Sequence, residues 1–109
     1  MEDKAVTVDQ VRSAQEEFKT GDEHYKGGNY REAIAAFRKA VEAHPYEEGH
    51  LEELQKRLKT GNFKLQQECM AYMGCAAVHL SRMITELTEE QRDQVPVDEG
   101  LLEAFKGWS

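Results

Sequence analysis

KGGNYREAIAAF, residues 26–37, is the stretch whose reading decides the fold. Adjacent glycines and an asparagine allow the chain to reverse there. An aromatic residue follows, and then small and large apolar residues at helical spacing. Such small residues serve either chemistry or packing. A phosphate-cradling loop would need a preceding strand and a Lys-Ser/Thr pair, and this stretch has neither. It reads as a tight reversal between two helices that approach each other closely.

Upstream, Thr7 and Gln10 form a capping-box pattern, with Val6 and Val11 at the staple positions on either side of it. Val8, Val11, Ala14, Phe18, Gly21 and Tyr25 then follow by threes and fours on one helix face. Gly27 and Gly28 end that helix. Residues 1–6 read as a flexible N-terminus, and residues 7–109 as a single helical domain. Downstream, Asn29 can cap a second helix with Glu32 as its capping partner. The inward face of this helix is Tyr30, Ala33, Ile34, Phe37, Ala40 and Val41, and His44-Pro45 stops it.

Between residues 47 and 87 an apolar stripe runs without a phase slip through Leu51, Leu54, Leu58, Gly61, Leu65, Cys69, Met73, Ala76, Leu80, Met83 and Leu87. The unbroken phase favours one long, bent helix. Thr60-Gly61-Asn62 argues for a break, because glycine costs ~1 kcal/mol inside a helix. Thr88 and Gln91 form another capping box before Pro96. Asp98 can cap a last helix with Leu101, Leu102, Phe105 and Trp108 on its apolar side and Val97 in the staple position. No stretch alternates as a half-buried strand would. The expectation is an all-α fold: an antiparallel hairpin, a long helix and a C-terminal helix.

Composition narrows the function classes. A formal net charge of −7 repels phosphate backbones and anionic membranes, which argues against nucleic-acid or membrane partners. No apolar run reaches the ~20 residues that a bilayer span requires. The acidic start MEDKAV does not resemble a secretory signal. Cys69 and Cys75 lack the spacing of a redox pair or a zinc knuckle, and read as small hydrophobes in a reducing, cytoplasmic setting.

Gly21, Gly28, Tyr30, Ala33, Phe37, Ala40 and Pro45 stand where a helical unit of about 34 residues carries its signature residues. Residues 14–47 thus resemble one tetratricopeptide repeat. In that family small residues let two antiparallel helices nest, which here would place Gly21 against Ala33. A partial second unit is suggested by Met70, Met73, Gly74 and Ala77, with Gly74 at the close-contact position; Glu86 then stands where a small alanine belongs. A rival alignment pairs KGGNY from Lys26 with KTGNF from Lys59, and puts a turn at Gly61.

The resemblance implies protein recognition through a groove formed by first helices. One subgroup of the family grips a chaperone's C-terminal carboxylate with a lysine and asparagines. Phe18 and Asp22 occupy those positions here, so that clamp is rejected. An acidic or apolar groove would instead be lined by Glu17, Asp22, Gln66 or Tyr72, with Trp108 as an anchor or a contact residue. The partner would be a protein or peptide with basic or apolar anchors, or a second copy of the chain. The pattern G-N-Y-x-E-A-I-x-x-F also resembles the hairpin of microtubule-interacting-and-trafficking domains, three-helix bundles that bind short helical motifs. A third reading is a structural protomer that self-associates through helix 47–87.

No catalytic constellation stands out among the candidates. Glu47-Glu48 and Glu52-Glu53 read as a wet helix face. Cys75 and His79 share an i, i+4 spacing, but two ligands do not make a metal site. The expectation is a non-catalytic adaptor or small subunit without cofactor or metal.

Overall fold

The computed structural model describes residues 6–44 and 49–95, which form five helices and no strand. Helix α1 spans Val8–Lys26, α2 Tyr30–Glu42, α3 His50–Thr60, α4 Leu65–Glu86 and α5 Glu89–Asp93. The fold is all-α. Pro45, the 98–108 helix and Trp108 lie outside the described residues.

Local sequence sets the first reversal. Thr7 Oγ1 accepts from the Gln10 N–H at 3.1 Å, and Gln10 Oε1 accepts from the Thr7 N–H at 2.9 Å, closing the expected capping box. Val6 and Val11 are both buried beside it. At the other end, Gly28 takes a left-handed φ of 81°. The Gly28 N–H then reaches the Tyr25 carbonyl at 3.1 Å, and the Asn29 N–H reaches the His24 carbonyl at 2.8 Å. Those bonds satisfy the last carbonyls of α1 as a Schellman motif.

The same motif displaces the expected cap of α2. Asn29 makes no side-chain cap bond, so the pairing with Glu32 does not form. Its N–H is already committed to α1, and its ψ of 69° departs from the extended backbone, near 160°, of the capping residues Thr7 and Thr88. One asparagine closes the first helix and therefore cannot also cap the second.

The hairpin nests as the small residues demand, with one change of partner. The atoms nearest to a side chain placed on Gly21 belong to the ring of Phe37, not to Ala33. Phe37 in turn packs on Phe18, with ring centroids 5.4 Å apart. Ala33, Ala36, Phe37, Ala40 and Val41 are the buried side of α2.

The continuous helix across 47–87 does not form. It breaks at residues 61–64 into α3 and α4. Gly61 and Lys64 are extended, with ψ of 163° and 157°. The stripe kept its phase because each piece turns its own apolar side inward. Leu65, within the expected stripe, is exposed instead.

Helix α4 packs mainly on α2 and also on α1. Gln66 at its start touches Tyr25 at the end of α1, and His79 in its second half meets His44 just past α2. Helix α4 therefore runs antiparallel to α1 and parallel to α2. Its buried side includes Cys69, Tyr72, Ala76, Leu80 and Met83. The Thr88 capping box forms as expected. Arg92 then folds back onto the carbonyls of Ile84 and Thr85, covering the end of α4. Arg12 of α1 donates to the Gln94 carbonyl at 2.7 Å.

Candidate functional site

The expected groove residues differ in exposure. Glu17 and Asp22 are half-buried on α1, and Asp22 pairs with Lys26 one turn on at 3.0 Å. Gln66 is exposed at the start of α4 and donates to the Tyr25 hydroxyl at 3.4 Å. Tyr72 is only 6% exposed and belongs to the core. Burial raises its phenol pKa, and Arg38 and a hydrogen bond with Gln55 partly offset that.

What α4 does present is apolar. Phe63, Leu65, Met70 and Val78 are 48%, 38%, 42% and 43% exposed. Phe63 lies in the α3–α4 turn and Leu65 at the first position of α4, about 140° around the helix axis from Met70; Met70 and Val78 stand about two turns apart on the other side, with Val78 facing the pocket between α3 and α4. Gly74, between Met70 and Val78 at steps of four residues, is buried, so the exposed apolar positions are not continuous along this side. A soluble helix ordinarily turns polar residues outward. Sequence reasoning placed Met70 in a repeat contact and passed over Val78, because α4 is apolar nearly all round.

A second grouping is polar and buried. His44, His50 and His79 meet where the end of α2, the start of α3 and α4 converge. His44 Nδ1 lies 2.7 Å from His79 Nδ1, and His79 Nε2 lies 3.0 Å from His50 Nδ1. A pocket of about 260 Å³ opens beside His50 and His79. Glu53, Leu54, Arg57, Cys75, Val78 and Arg82 share its walls. The sequence pattern had singled out Cys75 with His79 but gave no sign of His44 and His50. Among the described residues no group of three or more side chains is arranged to hold a metal ion.

Neither cysteine is in a disulfide; Cys69 is buried and Cys75 half-buried. Burial pushes the Cys69 thiol up to about 11. An unfolded cysteine titrates near 8.5. The folded chain therefore holds this proton more tightly than the unfolded chain. That contribution is complete below about pH 8.5 and is lost as the pH rises towards 11. Denaturant titrations at pH 8 and pH 10 should show a loss of stability of up to about 2 kcal/mol. Cys69→Val should remove most of that loss; an equal loss in the variant would show that Cys69 is not its source.

No family model, curated protein or solved structure matches the chain.

Proposed function

We propose that the chain is a non-catalytic protein-recognition module, an adaptor or a small subunit of a larger assembly. The carrying observation is the exposure of four large apolar side chains on and just before α4, Phe63, Leu65, Met70 and Val78. Exposed apolar groups of this kind mark surfaces that another molecule covers. A helix or an extended segment of a partner would bury its own apolar side there. The net charge of −7 favours partners with a basic rim. The α1–α2 hairpin, nested at Gly21, supports the tetratricopeptide-like reading, in which such hairpins frame binding surfaces.

No helix among the described residues is long and apolar enough to cross a membrane. A cytoplasmic setting belongs to the same proposal and is supported by the two thiols that form no disulfide. Self-association is the competing use of the outer face of α4, now that α3 and α4 are separate. Light scattering distinguishes the two, since a binder for another protein is monomeric alone.

The test is a Met70→Glu, Val78→Glu double variant, both sites being exposed. Its helix content and melting should stay close to those of the parent chain. Capture of specific partners by the immobilised chain should fall at least tenfold. Undiminished capture by a folded double variant would rule out this face as the recognition surface.

A further inference from the structure

The three imidazoles form a chain held together by shared protons. His79 stands in the middle and contacts a neighbour through each ring nitrogen. Both neighbouring rings sit with centroids 5.0 Å from its own. His44 and His79 are 4% and 1% exposed, whereas His50 is exposed. The far nitrogen of His44, Nε2, faces Glu86 Oε2 at 3.6 Å.

Charged and titratable groups around the chain come from α2, α3 and α4. Helix α2 leads into His44 itself. Helix α3 supplies Glu53 and Arg57 beside His50. Helix α4 supplies Cys75 and Arg82 at the pocket, and Glu86 beyond His44. The two nitrogen–nitrogen distances are too short for a bridging metal. Two nitrogens on a tetrahedral ion, with bonds of about 2.0 Å, stand roughly 3.3 Å apart. Separations of 2.7 and 3.0 Å are those of a proton held between two nitrogens.

Counting protons gives the chain its behaviour. A neutral imidazole carries one N–H, so it can donate from one nitrogen and accept at the other. Three neutral rings bring three protons. Two fill the bridges, and the third sits on an outer nitrogen of His44 or His50. One added proton fits as well. His79 can then donate from both nitrogens, and both outer nitrogens carry hydrogen, with Glu86 facing one and solvent the other. A second added proton has no place. It must enter a bridge already filled and set two N–H groups against each other.

We propose that the His44–His79–His50 chain is a proton-counting latch: it holds the first turn of α3 with zero or one added proton, and the second proton releases α3. The weaker bridge is the one to His50, which is longer and lies at the exposed end. Helix α3 is built to leave. Leu51 is its one buried residue. Gly49, at a φ of 85°, precedes it, and the extended break at Gly61 follows it. Helix α3 meets α4 far less extensively than α2 does, although Leu51 joins the core and Leu54 and Leu58 pack against it. Release uncovers the side of α4 carrying Cys75 and Tyr72, the latter bonded to Gln55 of α3.

The direction with pH follows from linkage. The released form binds one more proton than the latched form. Acid therefore favours release, by up to tenfold in the opening constant per pH unit. Val78 lines the same pocket, but the inference rests on the histidine contacts and not on the recognition surface.

Amide hydrogen exchange, corrected for intrinsic rates, tests it on the intact chain. Between pH 7.5 and pH 5, protection of the α3 amides should fall tenfold or more, while amides inside α4 keep theirs. His50→Ala removes one end of the chain at an exposed position and should leave α1, α2 and α4 folded. Its α3 protection should already be low at pH 7.5 and should not change further on acidification. Three results would overturn the latch: α3 protection that does not change with pH in the parent chain, pH dependence that persists in His50→Ala, or loss of α4 protection together with that of α3.

Discussion

Gly21→Leu is expected to abolish the native hairpin. A Cβ on Gly21 would stand 2.6 Å from Phe37 Cε1 and within 2.9 Å of two further atoms of that ring. The ring cannot swing aside, because Phe37 is fully buried and its other side rests against Phe18. Alanine alone introduces the clash. Overpacking of that kind costs about 1–3 kcal/mol. Helix propensity returns about 1 kcal/mol of it. Gly21→Ala should therefore lose up to about 2 kcal/mol. Leucine adds three more carbons with nowhere to go, and must drive the two helices apart. A small domain has only about 5–15 kcal/mol of stability in all. Gly21→Leu should thus lose its cooperative melt and its near-ultraviolet dichroism.

A second variant isolates the cause. Phe37→Leu removes the ring that the new methyl group meets. In that background Gly21→Ala should cost at least 1 kcal/mol less than it does alone, a coupling typical of residues in contact. Gly61 supplies the contrast. A Cβ there also meets a ring, that of Phe63. But Phe63 is half exposed and free to rotate, and the backbone at Gly61, with φ of −93°, is one that any residue adopts. Gly61→Ala should change stability by no more than about 0.5 kcal/mol. An unchanged denaturation midpoint for Gly21→Leu would mean that the helices do not touch at Gly21.

These contrasts show where the sequence was legible. The ends of α1 and the start of α5 depend on residues within one turn of each other, so Thr7 with Gln10 and Thr88 with Gln91 could be read directly. Asn29 misled because the same short stretch serves two helices, and the first claim on its backbone took precedence. The break at residues 61–64 pitted apolar periodicity against a single poor triplet. Periodicity records which side of each helix is buried, and says nothing about whether the axis continues. The histidine cluster left no local trace. His44 and His79 are far apart in sequence and meet only because α4 runs parallel to α2. The exposed apolar positions of α4 were hidden for a different reason: with apolar residues on most sides, pattern alone does not say which of them a neighbour covers.

That last ambiguity yields the second large effect. Leu80→Ala is expected to lower stability by about 3–5 kcal/mol, in the range found when a buried leucine is truncated and the cavity does not collapse. Leu80 is fully buried on the side of α4 that packs against α2 and α1, so several elements would have to move to close the gap. Val78, two residues earlier, points the other way and is 43% exposed. Val78→Ala deletes two methyl groups that are partly in water and border an open pocket, so it leaves no closed cavity. Its cost should stay near 0.5 kcal/mol, the level of an exposed helix position. Urea titrations of the two variants measure this difference directly. If Val78→Ala proved as costly as Leu80→Ala, the isolated chain would already cover the outer face of α4. Phe63, Leu65, Met70 and Val78 could then not form its recognition surface, however apolar they are.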